Sequence, residues 1–423
     1  MRYTPHTRQD IGKMLDAIGA GGLDDLFCDI PEEVRLQRPL AIGEGMGEIE
    51  LRCEIARRAK ANLSAEDAPC FLGAGCYDHF VPAAVSELLA RGEFVTAYTP
   101  YQPEMSQGIL QSIFEYQTQI CRLTGMDASN ASLYDAGSAL GEALRITWEQ
   151  TKRHGVCLHG EIHPGYCNVA KAYRKPGTHL DEREIGPDTA AVVIQQPDYL
   201  GRIVDARPII EQAHAAGALA IMIVNPIAQA LLKTPAELGA DYVVGDGQPL
   251  GCGMNYGGPA LGFIATGKKN LRRLPGRIVG LSEDTDGRRA FVLTLQAREQ
   301  HIRRDKASSN ICSNQALNAL AVNMYLSYVG GEGLVKIARR CHALACFAED
   351  ELAKREIRRM DDAPYFNEFA ITLNHPQEVS DALFANGVIG GLCIPGGMLL
   401  AFTEKRTEAE IERLARLIQE ADR

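Results

Sequence analysis

The chain has 423 residues, enough to bury a large core and to hold two domains, or one large domain with appendages. Its 44 basic residues against 54 acidic ones leave a formal net charge of -10, which argues against nucleic acid or an anionic membrane as the main partner, since both need a basic footprint. The 12 cysteines are scattered (Cys28, Cys53, Cys70, Cys76, Cys121, Cys157 and onward) with no CxxC pair, so they read as free thiols of a reducing cytoplasm and no metal site is expected.

The N-terminal MRYTPHTRQDIGKMLDAIGAGG has no uninterrupted apolar run, so no secretory signal is expected. Thr7 and Asp10 are candidate caps for IGKMLDAIG, Gly21-Gly22 is a break, and GEIELRCEIARRAKANLS has a helical apolar period. Residues 1–67 therefore read as a helical arm. The aromatic, glycine- and proline-rich FLGAGCYDHF and FVTAYTPYQPEMSQG follow. Then comes an amphipathic helix whose Ile109, Ile113, Tyr116, Ile120 and Leu123 share a face, and a second helix, LGEALRITWEQTKRHG. Next, AAVVIQQP, ALAIMIVN, ADYVVGDG and LGFIAT read as strands between the helices ARPIIEQAHAAG and TPAELG. Continuous apolar strands between helices predict a mainly parallel sheet covered on both faces, with its site at the strands' carboxyl ends. The most apolar stretch, ALAIMIVNPIAQALLK, falls short of the roughly 18 apolar residues that span a bilayer, because Asn225, Pro226 and Gln229 interrupt it. Residues 68–315 read as this large α/β domain. Residues 316–423 read as a small α+β domain: a long helix from NQALNALAVNMYLSYVG onward, strands NEFAITL and MLLAFTE, and the closing helix EAEIERLARLIQEA.

Five peptides stand in order along the chain: RYTPHTRQDIGKML, FLGAGCYDHF, AYTPYQPEMSQGILQSIFEYQTQI, GADYVVGDGQPLG and GRRAFVLTLQAREQHIRRDKASSNICSNQAL. Together they resemble the glycine decarboxylase family, the P-protein of the glycine cleavage system. The resemblance runs from the first residues to the last helix and is most specific over residues 97–120 and 288–317. It is closest to the shorter alpha form, equivalent to the N-terminal half of the long single-chain enzyme. It implies a fold-type I pyridoxal-phosphate (PLP) transferase architecture, with a mostly parallel seven-stranded sheet in the large domain. It also implies a beta partner in an α2β2 heterotetramer, glycine as substrate, and the lipoyl arm of H-protein as acceptor of the aminomethyl group.

PLP chemistry needs an imine-forming lysine, a carboxylate on the pyridine nitrogen and a phosphate cup at a helix N-terminus. In the active subunit of this family a His-Lys pair follows the strand matching ADYVV. Here Gln248 and Pro249 stand in that place, and neither forms an imine. No lysine lies between Lys233 and Lys268, and both of these read as solvated. Asn225 stands in the pyridine-pairing slot, and asparagine cannot hold the ring nitrogen protonated by charge. Gly137 and Ser138, with Glu142 nearby, are the candidate remnant of the phosphate cup; an ordinary capped helix start is the alternative. The expectation is a chain that binds no cofactor and holds no catalytic residue of its own, beside a partner that binds PLP. A self-sufficient PLP aminotransferase or desulfurase would need the missing lysine. A catalytically silent scaffold would not co-purify with a lysine-bearing subunit.

What remains for such a chain is to complete the partner's site. Tyr98, Tyr101 and Gln102, with Glu104, are candidates to reach it, the alternative being a surface turn packed on the core. Ser308, Ser309 and Asn310 are candidates to reach the partner's phosphate. The cluster of Arg288, Arg289, Arg298, His301, Arg303 and Arg304 reads first as interface structure and second as a lining for an anion.

Overall fold

The computed structural model describes residues 5–180, 184–307, 309–312 and 314–422. The chain up to Asn62 is one compact unit and Leu63–Arg423 is another. The first unit holds α1 (Arg8–Ile18) and α2 (Glu48–Ala59). Thr7 and Asp10 do cap α1: the Thr7 hydroxyl accepts from the Asp10 N–H at 3.2 Å, and the Asp10 carboxylate accepts from the Thr7 N–H at 2.9 Å, a reciprocal capping box. Neither helix buries a residue, so the unit has no core of its own.

In the second unit α3 (Ala83–Leu89) and α4 (Gln107–Thr124) lead into β1 (Ala128–Ser129). Helix and strand then alternate through α5 (Ala136–Thr151), β2 (Gly155–His159), α6 (Pro164–Lys171), β3 (Thr189–Gln196), α7 (Ala206–Ala215), β4 (Leu219–Val224), α8 (Pro235–Leu238) and β5 (Tyr242–Asp246), and β6 (Gly262–Thr266) closes the series. The sheet order is β1-β6-β5-β4-β3-β2. Strands β2 to β5 are parallel, β6 is antiparallel to β5, and β1 is antiparallel to β6. The sheet is therefore mixed and mainly parallel, as expected, but it has six strands among the described residues where seven were expected. The apolar residues after β6 pair with one another instead, as the hairpin of β7 (Ile278–Glu283) and β8 (Arg289–Thr294).

Alternation along the strands builds two cores. Val192, Ile194, Met222, Val224, Val243 and Phe263 face α4, α7 and the first half of α10 (Ala316–Ala353). Val193, Ile221, Ile223, Tyr242, Val244 and Ile264 face α5 and α6. Each fully buried Val, Ile or Leu is worth about 1.5–3 kcal/mol, so strands apolar on both faces hold the middle layer and fix where their polar ends emerge. The hairpin covers Leu110 of α4 with Val279, Phe291 and Leu293. Two glutamine side chains dock it: Gln107 exchanges hydrogen bonds with the Phe291 backbone, both at 2.9 Å, and Gln117 with that of Val279 at 2.9 and 3.0 Å. For that reason Leu110 and Gln117 are buried on α4 while Ile109 and Ile113 are not.

After the short α9 (Gln300–Arg303), α10 breaks at Gly330, whose φ of 62° admits a bend. The rest of the chain is β9 (Glu368–Thr372), α11 (Pro376–Ala385), β10 (Leu392–Ile394), β11 (Gly397–Ala401) and α12 (Glu408–Ala421). An antiparallel sheet, β10-β11-β9, packs on α11, α12 and the second half of α10 through Leu344, Ile371, Leu383, Leu400 and Leu414. No helix among the described residues is long and apolar enough to cross a membrane.

Candidate functional site

The carboxyl ends of β3, β4 and β5 bring Gln195, Asn225 and Asp246 to one pocket, closed by Pro249, Tyr166, Tyr77 and Ala136. Its volume is only ≈ 30 Å³, room for a water or two and far too little for a pyridine ring. The Asn225 side-chain oxygen accepts from the Ile227 and Ala228 N–H groups at 2.9 and 3.4 Å, so it shapes the turn after β4. Gln248 is buried and fully engaged: it accepts from the Tyr77 N–H at 2.9 Å and donates to the carbonyls of Tyr77 and Cys252 at 3.0 and 2.8 Å. It clamps two loops together beside Pro249. Lys233 and Lys268 are both exposed, and no lysine lines the pocket among the described residues.

Tyr166 takes much of the space. Its ring stacks on His163 with centroids 4.2 Å apart. Its hydroxyl fills the place where a side chain on Gly75 (φ 93°) would stand, 2.3 Å from the Cβ position. His163 Nδ1 accepts from the Gly165 N–H at 3.0 Å, which leaves Nε2 to donate to the Ala74 carbonyl at 2.8 Å. Burial lowers the imidazole's pKa, consistent with that neutral tautomer.

The N-terminus of α5 carries Gly137 and Ser138, and two of its N–H groups, those of Ala136 and Ser138, are already held by acids. Asp135 caps it, accepting from the Ser138 N–H at 2.7 Å. Asp246 accepts from the Ala136 N–H at 3.3 Å with one carboxylate oxygen, and from the Gln248 and Leu261 N–H groups at 2.9 and 3.0 Å with the other. Burial raises the Asp246 pKa against the pull of these donors. Two carboxyl groups thus hold two of the donors a phosphate would need, those of Ala136 and Ser138. These residues do not fit PLP: the lysine, the pyridine-pairing acid, the free helix N-terminus and the volume are all wanting.

Two further groupings lie away from that pocket. Ser309 donates to Glu142 at 2.9 Å, and with Asn310 and Arg145 they line an open cleft of ≈ 380 Å³. Ser308 lies outside the described residues. Tyr98 is 87% exposed and Tyr101 44%, so neither is packed into the core; Gln102 is exposed beside them. The Tyr101 hydroxyl lies 3.3 Å from Arg277 Nη2, and its ring meets His301 edge-on at 6.1 Å. The structure thereby joins residues from the two most specific sequence stretches. Arg298 is turned inward onto the Leu295 and Gly276 carbonyls, both at 3.1 Å, whereas Arg288 pairs with Asp286 at the surface. Residue-by-residue reading missed Asp246, Tyr166 and Arg277. Asp246 stood in the quoted GDG, but nothing local marked the other two.

The family model for the glycine cleavage system P-protein matches residues 1–418. A probable glycine dehydrogenase (decarboxylating) subunit 1 from Syntrophomonas wolfei is 51% identical, covering 99% of each chain. Its counterpart from Carboxydothermus hydrogenoformans is 47% identical, again over 99% of each. A crystal structure of glycine decarboxylase (P-protein) of the glycine cleavage system, in inhibitor-bound form, superposes with a TM-score of 0.93 at 42% identity over 100% of both chains. A sphingosine-1-phosphate lyase from Burkholderia pseudomallei, 16% identical with a TM-score of 0.66 over 90% of this chain and 91% of its own, shares the fold alone.

Proposed function

This chain belongs to the glycine cleavage system P-protein family and acts in glycine cleavage, and from that premise we propose that it is the subunit that binds no cofactor, completing the active site of a second, lysine-bearing subunit. The supporting observation is the pocket at the ends of β3, β4 and β5, where Pro249, Asn225 and Tyr166 leave ≈ 30 Å³ and no lysine. The relatives' designation as subunit 1 supports a second subunit, which we assign as the beta chain of an α2β2 assembly working in the cytoplasm. When bound in that subunit, PLP would supply the electron sink for decarboxylation. The aminomethyl group would then pass to the lipoyl arm of H-protein.

On this reading the present chain contributes shape and hydrogen bonds. The exposed Tyr98, Tyr101 and Gln102 reach the partner's site, while Ser309 and Asn310 edge the cleft beside Glu142. The test is to express the chain alone and with its partner, then record cofactor absorbance and glycine-dependent exchange of carbon dioxide. The chain alone should be colourless and inactive, and the pair should show both signals. Cofactor uptake or exchange by the chain alone would overturn the assignment.

A further inference from the structure

Arg277 sits just before β7, and its backbone carbonyl accepts from the Ala131 N–H at 2.8 Å, which fixes where its side chain starts. The guanidinium lies beside Tyr101, with Nη2 3.3 Å from the hydroxyl and Cζ 5.5 Å from the ring centroid. Nη2 is also 3.7 Å from Cys312 Sγ, and Nε is buried without a hydrogen-bond partner. Among the described residues no carboxylate forms an ion pair with it. Glu299, in the same cluster, lies with Oε2 3.5 Å from His301 Nδ1 instead. Arg277 also lines a pocket of ≈ 250 Å³ with Tyr98, Ile109, Ile113, Asn314 and Leu317.

A half-buried cation against apolar walls is costly unless an anion balances it. Among the described residues the groups in contact with this guanidinium are the Tyr101 ring and hydroxyl and the Cys312 sulfur, so no carboxylate balances it directly. A metal ion is the wrong sign of guest, because the guanidinium would repel it from Cys312, His301 and Glu299.

We propose that Arg277, with the Tyr101 hydroxyl, forms an oxyanion-binding site that takes the carboxylate of the amino-acid substrate or the phosphate of the cofactor held by the second subunit. The site rests on the reading above, that this chain borders the partner's active site. Arginine suits either source, since its planar donors match both oxyanions.

The test uses the reconstituted complex with Arg277→Gln, Arg277→Lys and Tyr101→Phe. If the anion is the substrate carboxylate, Arg277→Gln raises KM for glycine about tenfold or more, the loss expected for one charge-assisted hydrogen bond, and acetate loses its competition with glycine. If it is the cofactor phosphate, the same variant weakens cofactor retention by a similar factor and inorganic phosphate no longer competes with cofactor reloading. Under either source Arg277→Lys recovers part of the loss. Unchanged KM and cofactor affinity in an assembled Arg277→Gln complex would falsify the site. So would loss of assembly with both constants intact in the complex that remains, because Arg277 would then be pairing with an acid of the partner. A silent Arg277→Gln beside an impaired Tyr101→Phe removes only the anion site. If both are silent, the reading that this chain borders the active site falls with it.

Discussion

Glu368 is a buried carboxyl held far from its ordinary titration range. Burial pushes it up to about 7 although the Ala74 N–H at 2.6 Å and the Tyr77 hydroxyl at 2.9 Å both favour the ionised form. Because the folded pKa is raised above the ordinary carboxylate value, this group's contribution to stability is complete at pH 4. It is lost as pH climbs from about 4.5 to about 7, by roughly 3 kcal/mol in all. Glu368→Gln keeps an acceptor for Ala74 and offers its amide to a rotated Tyr77 hydroxyl. Urea titrations should show a flatter stability profile between pH 5 and pH 8 than in the parent, on the order of the same 3 kcal/mol. An unchanged profile would place the titration elsewhere. Tyr101→Phe deletes a single hydroxyl from an exposed ring, so it should leave the melting temperature within about 1 °C and lower glycine decarboxylation by the complex about tenfold. Parental rates would remove Tyr101 from the site.

The start of α5 is tightly specified by its neighbours. A Cβ on Gly262 would lie 2.3 Å from the Asp135 carbonyl oxygen, and that contact is backbone, which cannot swing aside. Gly262→Ala should therefore cost about 1–3 kcal/mol or more, while Asp135→Ala, which removes only the cap, should cost about 1 kcal/mol. Chemical denaturation of the two variants gives the order directly, and a milder Gly262→Ala would mean the junction yields. Elements differed in how readily they could be read. Strands β3, β4 and β5 were plain from their apolar runs, since burial on both faces leaves no alternation to interpret. The β7–β8 hairpin was not, because only Val279, Phe291 and Leu293 of its apolar residues face the small core and the charged run Glu283, Asp284, Asp286, Arg288 and Arg289 interrupts its apolar pattern. Nor did α4 give up its buried face completely: Leu110 and Gln117 are inside only because that hairpin lies over them.

Taken whole, the second unit keeps a three-layer α/β/α body whose expected cofactor pocket is refilled by its own side chains. Restoring a lysine alone should then fail. In Pro249→Lys the amine would meet Tyr166 and Asp246, the Asp135 cap would still hold the α5 N-terminus, and Asn225 would still leave the pyridine nitrogen unpaired. The variant incubated with PLP should show no aldimine absorbance above that of free surface lysines, and a stoichiometric aldimine band would contradict this account. Sequence alone determined the fold class, the order of helices and strands, the absence of lysine from residues 234–267 and the family, because apolar period and long specific motifs are local properties of the chain. Tertiary structure decided what fills the pocket and what gathers outside it. Tyr166 reaches Gly75, Asp246 reaches α5, and Arg277 meets Tyr101 and Cys312, in each case through strand register and loop packing that join residues dozens to nearly two hundred positions apart, a distance over which local pattern carries no information.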